Sequence, residues 1–205
     1  MKTQIITIFT ALVLSTGIAK AATVTTPVNN AAYTVLTDIS AINKIEVYGN
    51  VELYISDGSA DQVKVYNKYY AESALVQSKN GVLRIASYKA EKLVVWVTAA
   101  DLRSISAYDN AEVRSFGDLT KIEFDVDLHN NASAKLNLDA YSANITVNDQ
   151  AKANLSGSAN EYDLKYSHAE NINEKNFETL HASKTLNIAA KVTVKKSELD
   201  DLADL

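Results

Sequence analysis

An alanine returns through the second half of the chain at positions 111, 132, 151 and 169, and in a degenerate copy at 190. At the first four positions it follows a polar pair. The segments are Asp109-Asn110-Ala111-Glu112-Val113, Asn130-Asn131-Ala132-Ser133-Ala134, Asp149-Gln150-Ala151-Lys152-Ala153 and Ser167-His168-Ala169-Glu170-Asn171, with Ala189-Ala190-Lys191-Val192 as the fifth. The spacing of 18 to 21 residues is the period expected for a solenoid coil. A strand-turn-strand unit this short cannot bury its own apolar face. Stacking gives each inward side chain neighbours above and below, and gives each backbone group a partner on the next unit. The repeat therefore predicts an all-β chain, a β-helix or β-solenoid of stacked short strands.

The polar pairs read as corners. Asp and Asn tolerate left-handed backbone angles and hydrogen-bond their own backbone, so a column of Asp109, Asn130, Asp149 and Ser167 suits a repeated bend. Asn110, Asn131, Gln150 and His168 stand beside it as the second member of a structural turn column, and the small alanine behind is expected to point inward. Between the corners run alternating strands, such as Ile122-Phe124-Val126-Leu128 and Tyr141-Ala143-Ile145-Val147.

Alternation also marks the N-terminal half, where a set of β-strands is expected to continue the same stack. Ile45 and Val47 precede the turn pair Gly49-Asn50, and Val51, Leu53 and Ile55 follow it. Asn80-Gly81 is the strongest hairpin signal. Leu93 to Thr98 is apolar on both faces, as in a strand covered on both sides. Helical periodicity is weak, with Tyr69–Val76 and the acidic tail 197–205 as the exceptions.

Residues 1–21 read as a secretory signal peptide: Lys2, an apolar run from Ile5 to Val13, and an Ala19-Lys20-Ala21 cleavage pattern. That run is shorter than the roughly 20 residues that a membrane-spanning helix needs. A small, polar leader covers 22–34, the β-helical domain 35–196, and a C-terminal tail or cap 197–205. The formal charge is -5, and losing Lys2 and Lys20 takes it to about -7. An acidic, unclustered surface argues against nucleic acid and anionic lipid as partners. The chain has no cysteine, which removes disulfides, thiol chemistry and an acylated-cysteine lipid anchor together.

With strands and repeat laid out, the chain resembles the GIN-type domain of Bacteroidetes, described as an autotransporter-adhesin head domain. The resemblance runs from about Ile42 to about Val194. It is carried by Ile42-Asn43-Lys44-Ile45-Glu46-Val47, Val51-Glu52-Leu53-Tyr54-Ile55, Asn80-Gly81-Val82-Leu83-Arg84-Ile85 and the segment from Val95 to Ile105. Members usually show Ser-Gly or Gly-Ser at the coil turns; here Asp109-Asn110, Asn130-Asn131 and Asp149-Gln150 replace them, and only Ser156-Gly157 keeps that pattern. The resemblance implies a β-helical fold on the envelope of a Gram-negative bacterium (periplasm, cell surface or beyond) and carries over no catalytic residue and no cofactor.

Candidate chemistry is sparse. Asp125, Asp127 and His129 alternate with Phe124, Val126 and Leu128, so they share one outward face and are the candidates for holding a cation. Successive same-face side chains lie about 7 Å apart, which works against one shared ion. His129, His168 and His181 lack a nucleophile elbow or a glycine-rich loop around them. Tyr48, Tyr54, Tyr66, Tyr69, Tyr70 and Tyr88 enrich the first half, offering flat rings with polar tips to a glycan, although tyrosine is also simply a favoured strand residue. These readings predict a non-enzymatic, exported envelope or surface protein, an adhesin-like scaffold for a glycan or a protein. The alternatives are a polysaccharide-acting β-helix enzyme and a structural or sensory envelope component.

Overall fold

The computed structural model describes residues 33–187 apart from 38, 40 and 67–74. The signal peptide, the leader up to residue 32, Tyr69 and Tyr70, the fifth repeat copy and the acidic tail lie outside the described residues. Thirteen strands occupy the described chain: β1 Thr34–Leu36, β2 Lys44–Gly49, β3 Val51–Asp57, β4 Gln62–Val65, β5 Leu75–Lys79, β6 Val82–Ser87 and β7 Leu93–Ala99, then β8 Ser104–Ala107, β9 Glu112–Ser115, β10 Leu119–Leu128, β11 Ser133–Val147, β12 Lys152–Tyr166 and β13 Ile172–Leu186. All belong to one large curled sheet. Leu75 and Val76, the described end of the expected helical stretch, are strand residues of β5.

Pairing is parallel through most of the sheet. β6, β2, β8 and β10 lie side by side in that order, and β7, β3, β9 and the first part of β11 do the same. The later part of β11 pairs with β10, and β12 and β13 follow along nearly their whole lengths. Ala134 faces Ala153, and Val126 faces Ile145, so the steps from β10 to β11 and from β11 to β12 advance the chain by 19 residues, while β8 to β10 and β9 to β11 take 21 and most of β12 to β13 takes 20.

The N-terminal strands join the same sheet but out of chain order. The β2-β3 unit is sandwiched between β6-β7, which follows it, and β8-β9, which comes later still. Beyond β6 and β7 the pairing turns antiparallel: β5 on β6, β4 on β7, and β1 on β4. Antiparallel neighbours need only a tight turn, and Asn80 and Gly81 supply it with φ of 51° and 80°, both positive as a two-residue I′ hairpin requires.

Register lines the core up in rows. Leu83, Ile45, Ile105, Val126, Ile145 and Leu164 are consecutive partners across six strands, and all are buried. A second row runs Val65, Val95, Leu53, Val113, Ala134, Ala153. Each large member contributes about 1.5–3 kcal/mol through burial. The taper to alanine at Ala134 and Ala153 narrows the interior on that side.

Each long strand also changes phase. In β11 the buried residues are Ala134, Leu136, Leu138 and Ala140, then Ala143, Ile145 and Val147. One extra residue at 141–142 turns the chain, so Tyr141 points out and is 58% exposed. The same slip in β10 leaves Ile122 84% exposed, although simple alternation places both inside with their neighbours.

The repeat corners stack on one another. Asp109, Asn130 and Asp149 have φ of 61°, 59° and 54°. Asn131 N donates to Asp109 O and Gln150 N to Asn130 O, both at 2.9 Å. Ala111, Ala132 and Ala151 behind them are fully buried. The fourth copy departs from this. Ala169 is exposed and opens a 3-10 helix, Ala169–Asn171, preceded by His168 in extended backbone.

Candidate functional site

The strand pairs present two outward faces. On the first, register makes ladders of polar side chains: Ser104, Asp125, Asn144, Asp163 and Ser183 in one, and Ser106, Asp127, Thr146, Lys165 and Thr185 in the next. Tyr48 near the end of β2, Tyr108 just past β8 and His129 just past β10 form a third ladder. There the rings of Tyr48 and Tyr108 stack at 4.7 Å and 4°, and those of Tyr108 and His129 at 4.7 Å and 5°. Face-to-face stacking occupies the ring faces, so these aromatics show solvent their edges and polar atoms rather than a flat platform. The Tyr48 hydroxyl is held above the ordinary phenol value, by partial burial first and by the charge of Glu46 second.

The three cation candidates sit on this first face but do not converge. Asp125 Oδ1 accepts from Asn144 Nδ2 at 2.8 Å, while Asp127 Oδ2 and His129 Nε2 are 2.9 Å apart. Among the described residues no group of three or more His, Cys, Asp or Glu is placed to hold a metal ion. His168 Nδ1 donates to the Asp149 carbonyl at 2.7 Å, tying one corner to the next, and His181 Nδ1 lies 3.0 Å from Glu161 Oε1 at the open end of the ladder.

The second face is built from β3, β7 and β9 and the first parts of β11–β13. At one end aromatic side chains cluster. Trp96 stacks on Tyr54 at 4.7 Å, touches Phe116 at 5.1 Å, and leans on Tyr66 at 6.3 Å; Tyr66 reaches Tyr33 at 5.0 Å. This cluster covers the outward side of β7, whose apolar character on both faces predicted such a cover. Phe116, on the loop after β9, is 63% exposed. Tyr88, the remaining described member of the predicted tyrosine set, is also exposed and stands apart from it.

Next to the aromatics runs a charge chain. The Tyr54 hydroxyl donates to Glu52 at 2.9 Å, Arg114 spans Glu52 (3.2 Å) and Glu112 (3.1 Å), and Lys92 reaches Glu112 at 2.5 Å. Lys92 first, and Arg114 after it, hold the Glu112 carboxyl below its ordinary value against the opposing effect of partial burial. Beyond this chain the face dips into an open cleft of about 410 Å³ between β9, β11, β12 and the 3-10 helix. Sequence reasoning missed this cleft. Lys135, Lys152, Asn154 and Asn173 fall singly in alternating strands, and only the register gathers them.

Known proteins place this geometry in a family. The family model described as "Putative auto-transporter adhesin, head GIN domain" matches residues 41–199. A solved structure from Parabacteroides distasonis described as a "putative adhesin" aligns with a TM-score of 0.60 and 17% identity, over 74% of this chain and 77% of that one. A second from the same organism, described as a "Putative lipid binding protein", gives 0.50 and 10%, over 74% and 76%. A "putative adhesin" from Bacteroides fragilis gives 0.49 and 13%, over 76% of this chain and 97% of that one. At these identities the likeness concerns the fold alone. None of the curated proteins matches the sequence.

Proposed function

The chain belongs to the auto-transporter adhesin head GIN-domain family, and on that premise we propose that it is a non-catalytic, exported envelope protein that binds a surface glycan or protein along its outward faces. Its strand units are read as successive coils of a β-solenoid, a reading supported by parallel pairing from β8 to β13 that advances 19 to 21 residues per step. Export is supported by Lys2, the apolar run and Ala19-Lys20-Ala21. Among the described residues no helix is long and apolar enough to cross a membrane. A structural role for the polar turn column is supported at three of its corners by the backbone bonds from Asn131 to Asp109 and from Gln150 to Asn130.

The observation that carries the reading is the pair of registered ladders on the first face. Asn144 and Thr146 sit at their centre, Asn144 between Asp125 and Asp163 and Thr146 between Asp127 and Lys165, with about 4.8 Å from strand to strand. A surface that repeats its donors and acceptors at a fixed interval suits a partner that repeats its own, as a glycan chain does. The test is a glycan array probed with the purified protein, with released reducing ends assayed in parallel. Binding without release is expected, and N144R/T146R should abolish it while the far-ultraviolet dichroism stays that of a β protein. Release of reducing ends would point instead to a polysaccharide-acting enzyme, and loss of all glycan binding to a structural component.

A further inference from the structure

We propose that the cleft on the second face is a subsite for one anionic group, a carboxylate, sulfate or phosphate, carried on a glycan. The inference rests on the binding-scaffold reading and names the chemistry of one part of it. The chain as a whole is acidic, with a formal charge of -5. The cleft runs against that balance.

Lys135 on β11 and Lys152 on β12 both line it. Lys135 faces Asn154 and Ser133 faces Lys152, so the two lysines lie diagonally across neighbouring strands, their backbones about 8 Å apart. Long side chains close such a gap from both sides around one small anion. The ion pairs of this face are Lys92 with Glu112, Arg114 with Glu112 and Arg114 with Glu52. They neutralise the nearest carboxylates and leave Lys135 and Lys152 without an ion pair among the described residues. Glu170 on the far rim is the one lining acid outside those pairs. The balance is two uncommitted cations against one carboxylate, which fits a single negative charge.

The wall adds a donor. Asn171 lines the cleft, and its Nδ2 is buried without a hydrogen-bond partner in the protein. A buried amide left unpaired is destabilising, and a ligand oxygen accepting from it would relieve that cost. Asn154 and Asn173 stand beside it with amides suited to sugar hydroxyls. Anion and hydroxyl contacts together describe an acidic saccharide better than a free ion.

The experiment is a calorimetric titration of the purified protein with four probes: a uronic-acid oligosaccharide, a sulfated oligosaccharide, a neutral oligosaccharide of the same length, and inorganic phosphate. At least one acidic oligosaccharide is expected to bind about tenfold more tightly than the neutral one, and to weaken as salt is raised. K135A/K152A should lower that affinity by about tenfold or more, while K89A, on the exposed loop after β6, should leave it unchanged. Amide chemical-shift changes in the unmodified protein should centre on residues 133–135, 152–154 and 171–173, which covers the case of a variant that folds poorly. Equal binding of neutral and acidic saccharides, an unaffected double variant, or shifts elsewhere would overturn the inference while leaving glycan binding standing. Phosphate binding as tightly as the oligosaccharide would remove the glycan from it. Binding of no probe, together with an empty glycan array, would sink the function itself.

Discussion

At Asn130 the backbone sits at φ 59°, where a residue without branching or with a short polar side chain is favoured. Its amide N–H donates to Asp149 Oδ2 at 2.9 Å, so the backbone, not the Asn130 side chain, makes the corner-to-corner bond. Asn130→Gly should therefore leave stability within about 0.5 kcal/mol, whereas Asn130→Val should cost roughly 1–2 kcal/mol, read from urea midpoints. Such corners were legible in the sequence because few residues tolerate that angle. Ser167 was less so: serine supplies no such signature, and its corner is built as a 3-10 helix instead. A second residue-scale consequence concerns Glu112. Its carboxyl is held below the ordinary value of 4.5 by Lys92 and Arg114, so its charged form favours the folded state. That contribution is complete above the unfolded value and disappears as the pH falls through the lower folded value. Glu112→Gln should cost about 0.5–1 kcal/mol at pH 7, a partly exposed network being worth no more. The gap between the two proteins should close in denaturant melts taken progressively below pH 4.5.

At the scale of a strand, alternation told which segments were strands and which residues of each faced inward, up to the bend. It could not show where a 15-residue strand such as β11 turns a corner. A phase slip inserts one residue without any special residue type, so Ile122 and Tyr141 read as core from pattern alone. Another special backbone position in the long strands is marked chemically. Gly157 within β12 has φ 94°, and an added Cβ would lie 2.0 Å from the Leu138 carbonyl oxygen of the neighbouring strand. Gly117, between β9 and β10, has φ 82° but open space around it. Alanine at both positions separates the two effects. Gly117→Ala should cost about 1–2 kcal/mol from backbone angle alone. Gly157→Ala should cost roughly 3 kcal/mol or more, because the backbones of β11 and β12 must also part. Thermal melts of the two variants compare them directly, and equal losses would show that the strands separate easily at Gly157.

Across the whole molecule, the sheet is one hydrogen-bonded surface whose order departs from the chain. No local signal announces that β6-β7 docks on one side of β2-β3 and β8-β9 on the other, because each unit carries the same alternating pattern and each interface is chemically alike. The cleft was hidden for the same reason, its cations being brought together by register between strands. What the repeat does imply is that each unit depends mainly on its immediate neighbours. Phe124 tests this, being the bulkiest fully buried side chain, on β10 between β8 and β11. Phe124→Ala should cost about 3–5 kcal/mol. If coupling is chiefly between neighbours, hydrogen exchange should quicken most in β8, β10 and β11, and least in β6 and β7, which lie two or more strands away. A uniform loss of protection over all strands would instead mean that the sheet opens only as a whole. In that event the open edge of β13, which pairs only with β12 among the described residues, would exchange through the same global event as the core. With neighbour-limited coupling, β13 should exchange fastest of the long strands in the unmodified protein and scarcely respond to the substitution.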